Sequence, residues 1–556
     1  MSLYKDASLV MIPSAYKDGK LYSIRPTDGS GDFTFSRGSN LAATRVDVNG
    51  LIEKGRENLL LQSNAFSTSP WNIGAATLTS GQTGYDGSSN AWLLSATSSF
   101  ANVNQNVSLS NLLTFSVYAK AGTGDWMVMR LNGTLNNLIY VDLTNQVFGS
   151  AGGVAKTITD MGNGWSRVSV TINQASYTAA HIYVGAGDGS ISTTNETIYI
   201  QDAQLEAGLV ATDYIETGAS TAQAGILEDM PRLDYSGGAS CPALLLEPQR
   251  TNKLIHSEYF GAGTGWGDNG LVTRDFGYLA PDGTYSATKI TNTGSGGASG
   301  YVFYGGVLPD DSRSVYARTT SGTGTANLMT YFGNTNNVFT ITEEWQRFDL
   351  SSVTTTTGQG SFYLVDFRDG DLNEIILWGA QCEEASYPTS YIPTYGSSVT
   401  RSQDLTTADT SSFYTDSSNG TLFSELSFPL AADGNYNGWF FWNGSGYHRI
   451  VLQRRGDTGK GQVEVRINNT TQASIISSSA ITLEDNHKML VRWDNNEFTF
   501  FIDGVNIGSD TSTDSYSGTD LNELASRPTY NAANIKQAVL FPTALTDSEC
   551  IALTTL

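Results

Sequence analysis

The densest run of aromatic side chains in this sequence is Trp439-Phe440-Phe441-Trp442, which Tyr447 and Arg449 follow closely. Aromatic faces stack on the CH groups of sugars, and arginine donates hydrogen bonds to ligand oxygens. These residue types in one short stretch therefore indicate a carbohydrate-binding surface. The ligand-binding candidates in it are Trp439, Trp442, Tyr447 and Arg449.

Strand geometry divides the aromatic run into two pairs. Side chains alternate between the faces of a β-strand, so Trp439 and Phe441 share one face, and Phe440 and Trp442 share the other. In a sandwich one of these faces belongs to the core, so packing explains two of the four aromatics. The other pair faces a ligand, a covering loop or a neighbouring subunit.

Five further aromatic residues are ligand-binding candidates. Trp126 and Tyr140 fall in one region of the chain, and Tyr301 and Tyr304, with Tyr331 nearby, fall in a later one. We expect each group on the concave sheet of its domain. Core packing is the competing explanation for every one of them.

Motifs for catalysis are absent from the sequence. The four histidines lie far apart, and no GxSxG, HExxH or phosphate-binding loop occurs. With 54 acidic residues, chance carboxylate pairs are common, so counting does not exclude a glycosidase pair. The sequence thus predicts a protein that is not an enzyme, with a polysaccharide depolymerase as the catalytic alternative.

Two stretches of the chain repeat each other and define the elements that carry these candidates. Residues 51–62 read LIEKGRENLLLQ, and residues 245–256 read LLEPQRTNKLIH. The agreement continues along the chain, but the spacing between matched residues changes. The strands therefore keep their order, while the loops between them differ in length. The chain therefore carries two copies of one domain of about 150 residues. The matched pieces are Trp71 with Trp266, Asp86-Gly87 with Asp282-Gly283, Ser116–Lys120 with Ser314–Arg318, Trp165-x-Arg167 with Trp345-x-Arg347, Ala203–Glu206 with Ala380–Glu383, and Tyr214-Ile215 with Tyr391-Ile392.

The repeats divide the chain into five predicted segments. Residues 1–55 are too few for a core of their own and are expected to pack on a partner or on the next domain. Residues 56–218 and 247–401 are the two repeats, joined by a hairpin linker at 219–246. Residues 402–556 form a different domain.

Turn and cap signals place several elements within these segments. Asn49-Gly50 predicts a hairpin near the N-terminus. In the last segment, Met489–Asp494 and Phe498–Asp503 alternate around a short turn, which predicts a meander. Thr546–Glu549 has the spacing of a capping box before a short helix at Cys550–Leu553.

Composition agrees with an all-β chain that does not bind nucleic acid. The net charge is −23, and only 15% of the residues are charged. A nucleic-acid binder would need a basic face to offset that charge, and no cluster of lysine and arginine is visible. Solubility at high local density explains the charge, with Ca²⁺ coordination by some carboxylates as the alternative.

The cysteines and the chain ends bear on the compartment. Cys241, Cys382 and Cys550 are far apart and odd in number, which predicts free thiols in a reducing compartment. The first residues lack a signal-peptide pattern, and no apolar run reaches the ~20 residues of a membrane span. We expect synthesis in a cytoplasm without secretion by the usual route. A virus particle assembled inside a host cell and released by lysis would reconcile this with an adhesin-like composition.

The repeats resemble the jelly-roll modules of the carbohydrate-binding-module superfamily. The residues that carry this resemblance are Glu57–Leu60 and Thr251–Leu254, the Asp-Gly-x-x-x-Ala pattern at 86–91 and 282–287, Phe115–Lys120 with Val315–Arg318, Gly164-Trp165-x-Arg167, and Asp202–Glu206. Residues 402–556 resemble the laminin-G and concanavalin-A-like lectin sandwich in His487–Trp493, Phe498–Gly508 and Val539–Thr546. The order of hairpin, jelly roll, hairpin, jelly roll and lectin-like domain is similar to that of bacteriophage virion fibre and adhesion proteins.

The resemblance implies a metal and an assembly. Carbohydrate-binding modules often hold a structural Ca²⁺ beside the last strand, which makes Asp202 the metal-ligand candidate in the first repeat. The second repeat has Gly379 at the equivalent place and departs from the pattern. Because multiple copies raise the avidity of weak sugar sites by roughly 10² to 10⁴, a homo-oligomer is expected, a trimer as in similar fibres.

These observations predict two jelly-roll β-sandwiches and a concanavalin-A-like β-sandwich, with an N-terminal hairpin or extended segment that anchors the protein to other virion proteins. The resemblance implies a phage tail or head fibre, a virion protein that attaches to host surface polysaccharide. A structural decoration or spacer protein without a ligand is the first alternative, and a depolymerase the second. A secreted bacterial adhesin is disfavoured by the missing export signal.

Overall fold

The computed structural model describes residues 3–556 except 40, 135–136, 263, 296–298, 306–310, 330–336, 354–362, 369, 429–435 and 529–531. Antiparallel strands make up nearly all of its regular structure. They form three β-sandwiches, and the predicted all-β fold class is confirmed. No helix in the described part of the chain is long and apolar enough to cross a membrane.

The first repeat is a sandwich whose layers share two long strands, Asn102–Ala121 and Trp165–Gly185. Their pairing shifts register near Asn106 and Leu109, so each strand bends there and adds one half to each layer. In spatial order, one layer contains Ala76–Gln82, Ala91–Ala96, Thr197–Ala207, the end of Asn102–Ala121, the start of Trp165–Gly185, and Ala155–Gly162. The other contains Trp71–Gly74, the start of Asn102–Ala121, the end of Trp165–Gly185, Trp126–Gly133, Leu138–Asp142 and Val147–Phe148.

In each layer the five described strands of the second repeat follow the order of the first five strands of the first repeat, which confirms the duplication read from the sequence. Its two layers are separate five-stranded sheets around one apolar core. The first layer contains, in spatial order, Val272–Tyr278, Ala287–Asn292, Glu374–Glu383, Asp311–Arg318 and Gln346–Val353. The second contains Trp266–Asp268, Tyr301–Tyr304, Tyr363–Asp366, Gly324–Leu328 and Val338–Ile341.

The asparagines of the repeated motif, Asn58 and Asn252, make the same four hydrogen bonds in the two repeats. Each amide donates to two carbonyl oxygens and accepts from two backbone N–H groups, at 2.8–3.3 Å. The partners are Ala203, Ile215, Leu60 and Leu205 for Asn58, and Ala380, Ile392, Leu254 and Cys382 for Asn252. The residues that repeat in sequence therefore hold the scaffold together.

The last sandwich has an eight-stranded and a nine-stranded sheet. The first contains Arg232–Asp234, Ala243–Leu246, Ala533–Phe541, Asn419–Ser427, Asn486–Asp494, Glu497–Ile502 and Val505–Thr511, with Leu9–Met11 also paired to Ala533–Phe541. The second contains Tyr16–Lys17, Lys20–Leu21, Phe33–Ser36, Leu405–Asp409, Glu523–Ser526, Tyr436–Trp442, Arg449–Arg454, Lys460–Ile467 and Thr470–Ala480.

This strand list corrects the separate status predicted for residues 1–55 and for the linker at 219–246. Strands from both segments belong to the last sandwich, and their apolar side chains lie in its core. Short segments bury apolar side chains only against another element, and here that element is the sandwich most distant in sequence. The sequence offered no signal for that choice of neighbour.

Smaller elements complete the chain. Three two-stranded ribbons pair Thr44–Val46 with Ile52–Lys54, Arg56–Asn58 with Ala222–Ala224, and Arg250–Asn252 with Val399–Arg401. One-turn helices span Leu3–Asp6 and Ser236–Gly238, and an α-helix spans Asp547–Thr554. The predicted N-terminal hairpin, the meander and the capping box of Thr546 and Glu549 are confirmed. The three cysteines are free thiols, as predicted.

Candidate functional site

The outer face of the second layer in the first repeat carries a continuous row of polar side chains. Asn104 lies opposite Asn72 on one side and His181 on the other, and Arg130 lies opposite His181. Side chains that face each other across antiparallel strands are about 5 Å apart, so the four residues extend for roughly 14 Å. We call Asn72, Asn104, His181 and Arg130 the polar row.

Alternation along the strands directs this row outward. The intervening residues, such as Met129 and Ile182, are fully buried in the core of the repeat, so their neighbours Arg130 and His181 point to the opposite face. Asn72 is exposed, and the other three members are partly buried. A ligand can therefore reach the row from outside without any rearrangement of the core.

Hydrogen bonds orient part of the row. Asn104 Nδ2 donates to Asn102 Oδ1 at 2.8 Å, and Asn72 Nδ2 lies 3.5 Å from Asn104 Oδ1. The hydroxyl of Tyr183 lies 3.2 Å from His181 Nδ1, and the two rings stack with centroids 5.3 Å apart. His181 Nε2 has no partner within the described residues, so it remains available to a ligand.

The charge of the row is carried by Arg130 alone. Burial, helped by the positive charge of Arg130, lowers the pKa of His181 to about 4, so the imidazole is neutral at neutral pH. Within the described residues Arg130 makes neither a hydrogen bond nor an ion pair, and its Nε is shielded from solvent. The row thus combines neutral donors and acceptors with one uncompensated cation.

The predicted residues Trp126 and Tyr140 lie on this same face, beside the row. Tyr140 is only 6% exposed, because it packs with Val128 and Tyr183 beneath Ile191. The prediction that Tyr140 contacts a ligand is therefore wrong. Trp126 stands at the margin of the cluster, partly exposed, and stays a candidate.

The corresponding face of the second repeat lacks the row. Gly267 and Phe303 occupy the register positions of Asn72 and Asn104. The fold therefore does not require polar residues there, because the same scaffold forms without them. The two repeats thus differ at these positions, whereas the hydrogen bonds of Asn58 and Asn252 that hold the scaffold together are the same in both.

Two of the three tyrosines predicted in the second repeat lie among the described residues and have different surroundings. Tyr304 points into the core, is 8% exposed and packs edge-on against Trp266 at 5.5 Å, so its ligand-binding prediction is wrong. Tyr301 faces outward, but the Arg368 guanidinium lies 4.7 Å from its ring centre. Tyr331 lies outside the described residues.

In the last sandwich the alternation predicted for the aromatic run is confirmed. Trp439 and Phe441 are fully buried, and the Trp439 indole donates to Ser424 Oγ at 3.0 Å. Trp439 is therefore a core residue, and its assignment to a ligand surface is wrong. Phe440 and Trp442 lie partly exposed on the opposite face.

The remaining candidates of the last sandwich are engaged within the protein or isolated. Trp442 lies opposite Arg449, its Nε1 donates to Glu523 at 2.8 Å, and the Arg527 guanidinium covers its ring at 4.6 Å. Arg449 is paired with Glu464 at 2.5 Å. Tyr447 is 51% exposed. These groups remain candidates, but a ligand would compete with existing internal contacts for Trp442 and Arg449.

Asp202 lies at a bulge in the closing strand, in the left-handed region with φ 52°, and Gly379 occupies the same position with φ 63°. Aspartate and glycine both tolerate this conformation. The Asp202 carboxylate accepts from Tyr85 at 3.0 Å. Across the described residues, no three histidine, cysteine, aspartate or glutamate side chains converge on a point where a metal could bind. Backbone geometry therefore explains Asp202 without Ca²⁺.

A polar concavity of about 620 Å³ also lies on the first repeat, beside Trp92 and Glu216. Two of its lining side chains are engaged within the protein. Trp92 Nε1 donates to Asn64 O at 2.9 Å, and Asn64 Nδ2 donates to Asn90 O at 3.2 Å. We rank the polar row above this concavity because the row contains the unpaired guanidinium of Arg130, whereas the described residues that line the concavity include no lysine or arginine.

Sequence reasoning missed all four members of the polar row. One local signal was present, since Arg130 interrupts the apolar residues of Trp126–Gly133 at an alternating position. The pairing that aligns it with His181 and Asn104 joins strands far apart in sequence, and no local pattern encodes that register.

No family model and no curated protein matches the chain. Solved structures match parts of it. The Ruminococcus gnavus IT-sialidase CBM40 bound to alpha2,3 sialyllactose is 14% identical over 25% of this chain and 83% of that chain, with a TM-score of 0.22. Domain 4 of an extracellular arabinanase from Geobacillus stearothermophilus, in complex with arabinotriose, is 14% identical over 28% and 73%, with a TM-score of 0.23. The SAP-like pentraxin from Limulus polyphemus is 10% identical over 25% and 70%, with a TM-score of 0.21. At these scores the matches carry no argument about a ligand of this chain.

Proposed function

We propose that this protein binds surface glycans without changing them chemically, through the polar row of the first repeat. One observation carries the proposal: the side chains of the polar row are aligned on an outer sheet face, although the fold does not require polar residues there. Neither Arg130 nor His181 Nε2 is satisfied internally among the described residues.

The chemistry of the row fits a sugar chain. Asparagine amides and a neutral imidazole both donate and accept hydrogen bonds, as hydroxyl groups require. A face roughly 14 Å long holds a short oligosaccharide in an extended conformation. Asn72, Asn104, His181 and Arg130 include no carboxylate, so the row has no acid–base pair for glycoside hydrolysis.

We infer the wider role, a phage fibre that attaches a particle to its host, from the order of modules in the sequence. Because single open sites are weak, several copies in a homotrimer would supply the avidity. An anchor made of a free N-terminal segment does not suit this fold, because strands within residues 9–36 are built into the last sandwich. Contact with other virion proteins would instead use the surface of that sandwich.

Glycan binding is tested with the full chain on an array of bacterial surface oligosaccharides. The double variant Asn72→Ala, Asn104→Ala removes amides from the row, and we expect a loss of about 1–3 kcal/mol of binding free energy. Asn506→Ala, an exposed strand asparagine of the last sandwich, is the matched control. Binding that both proteins retain equally places the site elsewhere, and wild-type protein that binds no glycan favours the purely structural role.

Two further measurements address the remaining alternatives. Light scattering gives the subunit number, and a monomer at micromolar concentration contradicts the trimer. Release of reducing ends from any bound polysaccharide would show a depolymerase and contradict the non-catalytic assignment.

A further inference from the structure

The arginines on outer sheet faces are mostly neutralised within the protein. Arg449 is paired with Glu464, and Arg347 with Asp349. Such pairs satisfy the guanidinium groups and leave them little capacity for an external anion. Among the described residues, the guanidinium groups of Arg130 and Arg466 have neither a carboxylate nor any other hydrogen-bond partner, and only Arg130 belongs to the polar row.

The neighbours of Arg130 do not cancel its charge. Across the strands it faces His181 and Leu138, and the polar row contains no acidic residue. Asp188 lies beside the Trp126 ring, toward the far end of this face. Asp142 lies opposite Trp126, which is about 13 Å along the strand from Arg130. Its carboxylate is also engaged by Thr144 N and Asn145 N, at 3.1 and 2.9 Å. That separation exceeds the screening length of about 8 Å at physiological salt.

We propose that the polar row selects an acidic glycan, with Arg130 binding the carboxylate of a sugar acid and the other three side chains binding its hydroxyl groups. The planar guanidinium donates two parallel N–H groups to a carboxylate, a geometry that lysine does not reproduce. This inference rests on the proposed function, because it names the class of glycan bound at the same site.

Net charge makes such a site selective. The chain carries a charge of −23, which repels anions in general. An acidic glycan therefore gains at the polar row only through close contact with the unpaired cation. A neutral glycan forgoes that contact and leaves a partly buried arginine unsatisfied.

The test uses the full chain and an array of bacterial capsule and lipopolysaccharide oligosaccharides, each acidic glycan printed beside its carboxyl-reduced form. We expect the acidic member of a pair to bind. We expect Arg130→Gln to weaken that binding on the order of ten- to a hundredfold, the usual loss for one charge-assisted hydrogen bond. Arg130→Lys should restore only part of it.

Arg466 provides the matched control. Its guanidinium also lies on an outer sheet face, that of the last sandwich, and has no hydrogen bond or ion pair in the described part of the chain. Arg466→Gln removes the same charge and should leave binding unchanged. Equal losses in both variants would indicate nonspecific attraction and overturn the inference. Thermal melting of each variant confirms that it is folded.

The remaining outcomes separate the two proposals. If carboxyl-reduced glycans bind as well as acidic ones and Arg130→Gln has no effect, the proposal that the row selects acidic glycans is wrong, while the proposal of glycan binding is retained. If sulfated glycans bind and carboxylated ones do not, the carboxylate assignment is wrong. If no glycan binds, both proposals fail.

Discussion

Arg232 and Asp404 form a fully buried ion pair that joins the hairpin between the repeats to the chain entering the last sandwich. Arg232 also pairs with Glu247 at 2.6 Å, and Asp404 pairs with Arg37 at 3.1 Å. These contacts connect the N-terminal segment, the linker, the second repeat and the last sandwich. Charges without solvent remain stable only while every partner is in place.

Loss of Arg232 should therefore destabilise the protein strongly. We expect Arg232→Met to lower the free energy of unfolding by about 3–5 kcal/mol, because it leaves Asp404 and Glu247 buried with fewer partners. Arg45→Met is the matched control, since Arg45 pairs with Glu53 in the N-terminal hairpin but both side chains are partly exposed. That variant should lose at most about 1 kcal/mol. Equal losses in urea denaturation would contradict this account.

Asp202 should make the first repeat less stable as pH rises. Burial raises the pKa of Asp202 to about 6, with the hydrogen bond from Tyr85 opposing the shift. The folded state therefore holds the proton more tightly than the unfolded state. The proton on Asp202 therefore stabilises the fold near pH 4, and this contribution is lost as pH rises through 6. We expect the free energy of unfolding of the wild type to fall by about 2–3 kcal/mol between pH 4 and pH 7 because of this group, and Asp202→Asn to lack that fall. Denaturation of both proteins at the two pH values measures the difference.

The same variant tests the calcium prediction. A bound Ca²⁺ would hold the Asp202 carboxylate ionised and stabilise the wild type at pH 7. A rise in wild-type melting temperature on addition of Ca²⁺, absent from Asp202→Asn, would support the ion and contradict our structural account of Asp202. Asp202→Gly, which copies Gly379, should fold in the same backbone conformation.

The sequence predicted elements whose signals are local or duplicated. The repeat revealed the two jelly rolls because scaffold residues such as Asn58 and Asn252 must make the same bonds in each copy. Alternation correctly separated Trp439 from Trp442. In both cases the determining interactions lie within a strand or recur at matched positions.

Predictions failed where distant strands meet. The core of the last sandwich includes Leu9 and Leu244, and nothing near these residues identifies the strand Ala533–Phe541 as their neighbour. Likewise, the sequence predicts a ligand contact for Tyr140, but Ile191 packs on the cluster that contains it. The sequence shows that a strand carries aromatic side chains, but tertiary packing decides whether other residues cover them.

His487 should stabilise the last sandwich most at low pH. Burial lowers its pKa, but the hydrogen bond to Asp503 at 2.7 Å and the charge of that carboxylate outweigh burial, so the pKa is raised overall. The stabilising effect is complete below the unfolded-state pKa of about 6.5 and is lost as pH rises through the folded value. His487→Gln should therefore cost more stability at pH 5.5 than at pH 9. Asp503→Asn should show the same trend, and a pH-independent loss in both would contradict it.

The N-terminal residues should be required for the last sandwich to fold. Deletion of residues 1–36 removes four of its strands and the buried side chains of Leu9, Leu21 and Phe33. Each such side chain contributes about 1.5–3 kcal/mol, so the total loss approaches the 5–15 kcal/mol stability typical of a domain. We expect the shortened chain to be degraded within residues 402–556 by limited proteolysis, while the repeats resist. A peptide of residues 1–36 added back should restore protection. Intact, cooperative melting of the shortened chain would instead show that residues 1–36 are an accessory segment, and would reopen the prediction that they serve as an anchor.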